Sequence, residues 1–299
     1  MKYKIVILLI GKLYEKYLNA IKFEEMKGNV EVIGVGDIAP YSPTLDGWRL
    51  YDTDTALSLD FDYLIMSQTI KETANAAKTL SKIGIEEDRV LSIEIFGSIC
   101  FDFASYIKLH HSKVSIIAQN CWGGHTYHAL KMQFLSPTIN LRIEEKDWFA
   151  LLNNLKGYMQ LPLEEDLSEH PAEYKYPFGK LGDLTLHLVH YNSFDDARRC
   201  WENRVKRINW DNLFIMMYTT KRESAELFDQ MDFERKVIFT PERFGLQSEI
   251  CLQDFNAWID DINVDFWKSI RGVSEGALQY YDPIKLLNGE EDYYRIDRE

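Results

Sequence analysis

The first third of the chain alternates short apolar runs with stretches of helical periodicity. Apolar runs without strict polar alternation predict four buried strands, at Lys4–Ile10, Val30–Val35, Asp60–Ser67 and Val90–Ile95. Helical spacing between them predicts helices at Leu13–Met26 and Thr69–Lys82. Buried strands separated by helices are typical of a parallel sheet covered on both faces. Residues 1–110 are therefore predicted to form a Rossmann-like α/β domain.

Residues 111–299 are predicted to form a second α/β domain, joined to the first by a packed connector at Phe101–Ser112. Its predicted strands are Lys113–Ala118, Ile139–Ile143, Leu184–Tyr191, Leu213–Tyr218, Lys236–Thr240 and Glu249–Leu252. Its predicted helices span about 124–131, 148–159 and 195–207. An acidic loop runs from Pro162 to Pro177. Beyond Asp254 we expect a surface extension whose tyrosines pack back onto the body.

Composition and charge exclude several classes of protein. Of 299 residues, 46% are apolar, which is enough for well-packed cores. The net charge is −13 and no dense Lys/Arg run exists, so nonspecific nucleic-acid binding is not expected. The apolar run Ile5–Ile10 is too short to insert in a membrane. Four scattered cysteines without a signal peptide predict reduced thiols in a cytoplasm. The sequence is compatible with a homo-oligomer.

A nucleotide cofactor site is weakly indicated in the first domain. A dinucleotide fingerprint needs several glycines in the first turn, but only Gly11 stands there. Lys12 could supply a positive charge, and Asp37 ends the second strand where an acid could hold a ribose. Alternatively, Gly11 only makes the turn and Asp37 caps a loop. The identity of any cofactor is not predicted.

The densest group of reactive and turn-forming residues is Asn120-Cys121-Trp122-Gly123-Gly124, between a strand and a helix. Cys121 could be a nucleophile activated by the helix N-terminus, with His190 or His125 as base. The glycine amides could instead bind a phosphate or carboxylate, which is the simpler interpretation and the one we prefer. If the strands ending near Ala118 and Tyr191 are neighbours, Cys121 and His190 approach each other.

A metal site at this turn is not expected. Cys121, His125 and His128 offer Cys-x3-His-x2-His, which differs from standard zinc patterns and lacks a second cluster of ligands. A histidine acting as acid or base, or lying on the surface, fits the spacing better.

The predicted helix 195–207 carries arginines on its packed side. Ala197, Cys200, Trp201 and Arg204 share one stripe, and Arg207 lies one turn beyond Arg204. An inward arginine needs a carboxylate partner or a bound anion. Both alternatives stay open from the sequence.

Two family resemblances follow from these segments. The segments KIVILLIGK, VIGVGD, FDYLIMS and KIGIEEDRVL resemble Rossmann-like domains of bacterial surface-sugar biosynthesis proteins. Residues 113–255 resemble a bacterial family catalogued as domain of unknown function 1919, whose members often accompany exopolysaccharide or capsule synthesis. The match lies in SIIAQNCWGGHTYHALKMQFLSPTIN and in YPFGKLGDLTLHLVHYNSFDDARRCWENRVKRINWDNLFIMM. Its motif positions are Asn120, Cys121, Gly123, Gly124, Ser136, Pro137, Thr138, Asn140, His190, Tyr191, Trp201, Arg204 and Arg207.

These residues, taken with what the two resemblances imply, lead us to expect a cytoplasmic transferase or modifying enzyme for surface-polysaccharide precursors. It would bind a small anionic ligand or nucleotide sugar, with His190 as general base. The predicted ligand-binding residues are Asn120, Gly123, Gly124, Ser136, Thr138, Asn140, Arg204 and Arg207. The alternatives are a non-catalytic binding or assembly protein of the same pathway, and a cysteine-dependent acyl transferase.

Overall fold

The computed structural model describes residues 2–171, 174–252 and 281–293. The chain divides into two compact units, each of mixed α/β structure. Unit 1 comprises the residues up to His111 together with Ala129–Lys131, and unit 2 comprises Ser112–His128 and the described residues from Met132 onward. None of the described helices is long and apolar enough to cross a membrane.

Unit 1 contains a six-stranded sheet and four helices. The strands are β1 (Tyr3–Leu8), β2 (Val30–Asp37), β3 (Thr44–Leu45), β4 (Trp48–Asp52), β5 (Tyr63–Met66) and β6 (Val90–Ser92). The helices are α1 (Lys12–Met26), α2 (Thr53–Leu57), α3 (Ile70–Leu80) and α4 (Phe103–Ser112). The spatial order is β3-β4-β2-β1-β5-β6, and every pairing is parallel except that of β3 with β4.

The central position of β1 explains its unbroken apolar sequence. β1 pairs with β2 on one side and β5 on the other, and Ile5, Val6 and Ile7 are completely buried. A strand covered on both faces has no solvent side on which polar residues would be favoured. All four strands predicted in this half are present. The predicted strand at Val90–Ile95 is shorter, because Ile93–Gly97 forms a 3-10 helix.

The β3–β4 hairpin was not predicted. Asp46 and Gly47 have φ values of 52° and 95°, as a two-residue type I′ turn requires at both positions. β3 has only two residues, which is too short for a periodic signal.

The described residues of unit 2 form two four-stranded sheets. The parallel sheet consists of β7 (Ser115–Ala118), β12 (Leu213–Tyr218), β13 (Lys236–Thr240) and β14 (Glu249–Cys251), in that spatial order. The antiparallel sheet has the order β8-β11-β10-β9, formed by β8 (Arg142–Ile143), β9 (Glu164–Glu165), β10 (Phe178–Leu181) and β11 (Leu184–His187). Its helices are α5 (Trp122–Ala129), α6 (Glu145–Asn153), α7 (Leu155–Tyr158), α8 (Phe194–Val205), α9 (Arg222–Asp229) and α10 (Pro283–Asn288).

The core of unit 2 lies on both faces of the parallel sheet. On one face, Ile117 and Ile215 belong to a cluster that includes Trp148 of α6, Trp201 of α8 and the leucines of the antiparallel sheet. On the other face, the ring of Trp122 stacks on Phe214 with centroids 6.1 Å apart, and its Nε1 donates to the Tyr281 hydroxyl at 2.9 Å.

Burial of Tyr281, which is 1% exposed, agrees with the prediction that tyrosines of the tail pack back onto the body. The remainder of the predicted surface extension, at 253–280 and 294–299, lies outside the described residues.

The structure corrects one expectation about neighbouring strands. β7 pairs with β12, whereas β11 pairs with β10 and β8 in the other sheet. The strand predicted to reach Tyr191 ends at His187, so His190 lies in a loop beyond it. The helix predicted to start near Gly124 starts at Trp122.

Candidate functional site

Asn120 ends the turn after β7 by capping α5. Its side-chain Oδ1 accepts a hydrogen bond from the Trp122 amide at 3.0 Å, and the residue is 2% exposed. An Asn in this position satisfies one of the amides that a helix start leaves without a partner. The structure therefore shows a local structural role for Asn120, and its ligand role stays a prediction.

The two glycines of the turn allow α5 to pack closely. A Cβ at Gly123 would lie 3.0 Å from the Ala118 Cβ, and one at Gly124 would lie 3.2 Å from Ile139 Cγ2. Both glycines are buried. Their bare backbone is thus explained by contact with β7 and the segment at 139–140. The first turn of α5 does not present these residues to solvent as the exposed anion-binding amides that the sequence had favoured.

Cys121 is a core residue. It is 2% exposed, and its Sγ lies 3.9 Å from the Leu141 carbonyl oxygen. Burial raises the pKa of the Cys121 thiol to about 12. A thiol with this pKa is almost entirely protonated at neutral pH, whereas a nucleophilic cysteine needs the thiolate. The structure accordingly disfavours the nucleophile hypothesis.

Ser136 and Thr138 are also internal, and both are 0% exposed. Thr138 Oγ1 accepts a hydrogen bond from the Ala118 amide at 2.9 Å and lies 3.0 Å from Ser136 Oγ. These hydroxyls satisfy the edge of β7, the outer strand of the parallel sheet. The prediction that they bind a ligand is not supported, because neither side chain reaches the surface.

The histidines of α5 do not form a metal cluster. His125 is half-buried and His128 is exposed. Among the residues that the structure describes, no three His, Cys, Asp or Glu side chains are close enough together to hold a metal ion. The His125 amide donates to the Cys121 carbonyl oxygen at 3.0 Å, as an ordinary bond at the start of α5, and the role of His125 as a base stays a prediction.

His190 and Asn140 come together through the backbone. The His190 amide donates to the Asn140 carbonyl oxygen at 3.3 Å. Asn140 has a φ of 62°, in the left-handed region that Asn tolerates better than most residues. The side chain of His190 is exposed, yet partial desolvation of the imidazole lowers the pKa of His190. The imidazole is therefore neutral at neutral pH, as a general base must be.

Arg204 is held by an aromatic pair. Its Nη1 donates to the Tyr191 hydroxyl at 2.6 Å, and that hydroxyl donates to the Ile139 carbonyl oxygen at 3.1 Å. The guanidinium lies over the Phe134 ring, 5.1 Å from the centroid. Arg204 is thus fixed between two rings beside the segment that carries Asn140.

Arg207 reaches the same aromatic residue. Its Nη1 makes a long hydrogen bond of 3.5 Å to the Phe134 carbonyl oxygen, and the side chain is otherwise exposed. We call the group Phe134, Asn140, His190, Tyr191, Arg204 and Arg207 the Arg204 cluster.

The two arginines of the cluster have no acidic partner among the described residues. Within residues 2–171, 174–252 and 281–293, no ion pair involves Arg204 or Arg207. By contrast, Arg198 and Arg199, on the exposed side of α8, pair with Asp195 and Asp196 at 2.8 and 2.7 Å. The internal ion pair that the sequence left open for Arg204 is therefore not found in this part of the chain.

Sequence reasoning listed Tyr191 only as a motif position and missed Phe134. Tyr191 follows His190 directly. Because a tyrosine hydroxyl in a packed environment usually finds a hydrogen-bond partner, the inward Arg204 could have been predicted as the partner of Tyr191. Phe134 carries no comparable signal, because aromatic residues make up 13% of the chain and aromatic residues are common in protein cores.

In unit 1, the predicted cofactor residues lie at one edge of the sheet. Gly11 precedes α1 with an extended backbone and no side-chain cap, and Lys12 is exposed. Because β1 and β2 are adjacent and parallel, Asp37 at the end of β2 lies at the same end of the sheet as Gly11 and Lys12 after β1. The Asp37 Oδ1 accepts a hydrogen bond from the Ile38 amide at 2.7 Å. Gly36 has a packing role, since a Cβ there would overlap Leu8 and Ala56.

Comparison with known proteins gives one relative and two family matches. A curated protein of Haemophilus influenzae, named "Uncharacterized protein", is 39% identical over 138 residues, or 44% of this chain. The chain spans 64% of the length of that relative. Residues 1–91 match the family model described as "C2185-like, N-terminal".

The second family model covers most of unit 2 and the end of unit 1. It is described as "Domain of unknown function (DUF1919)" and matches residues 93–288, well over half of the chain. All of the Arg204 cluster falls within the matched region. The chain belongs to the DUF1919 family.

Proposed function

We propose that unit 2 binds a phosphate-bearing ligand at the Arg204 cluster and acts as a transferase or modifying enzyme on precursors of surface polysaccharides. The polysaccharide context comes from the resemblance of the sequence to exopolysaccharide-associated proteins. The binding chemistry comes from the residues themselves. A nucleotide sugar or another phosphorylated sugar is the ligand class that joins the two.

One observation carries the proposal. Arg204 is half-buried, is fixed by Tyr191 and Phe134, and has no carboxylate partner among the described residues. The chain holds 47 acidic and 34 basic residues, so acidic partners are plentiful elsewhere. An arginine that is ordered but not neutralised in such a chain fits an anion from outside, because a guanidinium binds phosphate through several parallel hydrogen bonds.

His190 is the proposed general base. It is anchored through its amide to Asn140, and its lowered pKa keeps the imidazole neutral near pH 7. A neutral imidazole at the surface can take the proton of an acceptor hydroxyl as the oxygen of that hydroxyl bonds to the sugar of the bound donor, while the bond between sugar and phosphate oxygen breaks and the phosphate-bearing part leaves. We expect His190→Gln to abolish turnover while leaving ligand binding within about twofold, since binding does not need its proton.

A non-catalytic binding protein would use the same arginines but not His190. Nucleotide release from a nucleoside diphosphate sugar separates the two functions, with His128→Gln as a matched exposed-histidine control. Release that depends on His190 supports the enzyme. Ligand binding without any His190-dependent turnover supports the binding protein.

The cysteine-dependent acyl transferase is the weakest of the three. It requires a thiolate, and burial raises the pKa of Cys121 to about 12.

Titration of the chain with inorganic phosphate and with a nucleoside diphosphate sugar tests the proposal. We expect Arg204→Ala to weaken the binding of both ligands by at least about tenfold, because a charge-assisted hydrogen bond of roughly 1.5–3 kcal/mol is lost. Isothermal titration calorimetry measures the affinity. Arg199→Ala is the control, since Arg199 lies on the same helix but is 73% exposed and paired with Asp196.

The proposed site is wrong if Arg204→Ala and Arg199→Ala have the same effect, or if neither ligand binds the wild-type chain. Thermal unfolding without ligand shows whether either variant has lost its fold.

A further inference from the structure

The charge of the Arg204 cluster is larger than one bound negative charge would balance. Arg204 and Arg207 each carry a full positive charge, and both contact Phe134. His190 is neutral near pH 7, because desolvation lowers its pKa. Asn140, Tyr191 and Phe134 add no charge. The cluster therefore has a formal charge of about +2, from two guanidiniums that stay ionised at every physiological pH.

The surroundings do not cancel this charge among the described residues. Neither arginine takes part in an ion pair there, and Asp195 and Asp196 on the same helix are engaged by Arg198 and Arg199. Arg204 lies in the last turn of α8, whose carbonyl end contributes a partial negative charge of only about one half. More than one unit of positive charge is left.

The hydrogen-bonding groups at the cluster are mostly donors. Arg204 uses Nη1 on the Tyr191 hydroxyl, and Arg207 uses Nη1 on the Phe134 carbonyl oxygen. The Tyr191 proton goes to the Ile139 carbonyl oxygen, so this hydroxyl is already satisfied. An incoming group with several acceptor oxygens suits this arrangement.

We infer that the cluster selects a phosphoryl group carrying two negative charges, which is a terminal phosphomonoester or a diphosphate, over a singly charged phosphodiester or carboxylate. Arg207 is the specificity-determining residue. Arg204, fixed by two rings, holds the first charge of either kind of ligand. Arg207, exposed and tied only by a long hydrogen bond, is free to take the second. This inference rests on the proposed function and narrows its substrate class.

Methyl phosphate and dimethyl phosphate test the inference. They differ by one methyl group, and at about pH 8 the first is a dianion and the second a monoanion, because the second pKa of a phosphomonoester is about 6. We expect the wild-type chain to bind methyl phosphate at least about tenfold more tightly, as for one added charge-assisted hydrogen bond. Calorimetric titration of the full chain measures both affinities.

Two variants separate the roles of the arginines. Arg207→Ala is expected to weaken the binding of methyl phosphate by about tenfold and to leave the affinity for dimethyl phosphate within about twofold of wild type. The preference for methyl phosphate is then lost. Arg204→Ala is expected to weaken both. Arg198→Ala, at an exposed and ion-paired position, is expected to change neither. Because Arg207 is exposed, its variant should fold normally, and thermal unfolding without ligand checks this.

The outcomes distinguish this inference from the proposed function. Equal affinity of the wild-type chain for the two probes overturns the charge selection but leaves phosphate binding intact. A preference that survives Arg207→Ala overturns the role of Arg207. If neither methyl phosphate nor dimethyl phosphate binds the wild-type chain, both the inference and the proposed function are overturned.

Discussion

At the scale of single residues, the family motif around Asn120 is mainly a packing motif. Its cysteine is buried, its asparagine caps α5, and its glycines admit close contact with β7 and Ile139. Arg204 and Arg207, further along the sequence, take part in no ion pair within the part of the chain that the structure describes. The dense group of reactive residue types around Asn120 therefore reflects packing, and the proposed ligand chemistry rests on Arg204 and Arg207 instead.

Cysteine labelling tests the state of Cys121. At neutral pH we expect iodoacetamide to modify Cys121 more slowly than Cys200, because the Cys121 pKa is raised to about 12 and its side chain is buried, whereas Cys200 is half-buried. Peptide mass spectrometry over time measures both rates in one sample. Faster labelling of Cys121 would show a thiolate there and revive the acyl-transferase hypothesis.

The glycines of the motif are expected to resist substitution. Alanine normally favours a helix over glycine by about 1 kcal/mol. At Gly123, however, the added Cβ would meet Ala118 and Ile116 at 3.0 and 3.3 Å, so we expect Gly123→Ala to lower the free energy of unfolding by about 1–3 kcal/mol. Urea unfolding measures the change.

His128→Ala, at an exposed position of the same helix, is the control and should lie within about 0.5 kcal/mol of wild type. A stabilising effect of Gly123→Ala would mean that α5 does not pack against β7 as described.

At the scale of elements, strands and helices with long periodic runs were predicted well. The buried strands of unit 1 and the parallel strands near 115, 213 and 236 lie where the apolar runs indicated. The strands β9 and β10 were not predicted. β9 has two residues, and β10 reads Phe-Gly-Lys-Leu, which lacks both alternation and β-branched residues. Their pairing depends on β11 and the Gly182 turn, which is tertiary information that local pattern does not contain.

The candidate site was predictable only where it depends on the local spacing of residues. An inward Arg204 followed from helical spacing on α8, which is a local property. The sequence pattern does not indicate that β7 and β11 belong to different sheets, because strand pairing is set by long-range contacts. His190 still comes close to Asn140, but through a loop after β11 and not along a shared sheet.

The antiparallel sheet predicts a pH dependence. On β11, His187 is 7% exposed, with Nδ1 3.2 Å from the Tyr176 hydroxyl and Nε2 3.5 Å from Glu144. Burial, together with the charge of Arg142, lowers the pKa of His187 from 6.5 to about 4. The folded chain therefore excludes a proton that the unfolded chain binds below about pH 6.5.

The free energy of unfolding is at its full value above about pH 6.5. It falls by roughly 2–3 kcal/mol as the pH drops towards 4, after allowance for the attraction between a protonated His187 and the exposed Glu144. Urea unfolding of wild type and His187→Gln between about pH 7 and pH 4.5 measures it. The variant should lose less stability than wild type over this range. Parallel pH profiles would contradict the buried, neutral state of His187.

At the scale of the whole molecule, the contrast between overall and local charge is the central feature. The chain carries a net charge of −13, and its surface arginines on α8 are paired with aspartates. Arg204, on the same helix, and Arg207, in the turn after it, take part in no ion pair within residues 2–171, 174–252 and 281–293. An acidic protein repels anions in general, so an anion held at this cluster must be bound by local hydrogen bonds rather than by the overall field.

The most direct test observes the arginines themselves. In a full chain labelled with nitrogen-15 at arginine, inorganic phosphate should shift the side-chain Nε–Hε signals of Arg204 and Arg207 with one shared dissociation constant. The signals of Arg198 and Arg199, which are held by aspartates, should stay in place. Unchanged Arg204 and Arg207 signals at saturating phosphate, or equal shifts at all four arginines, would contradict an anion site at the Arg204 cluster.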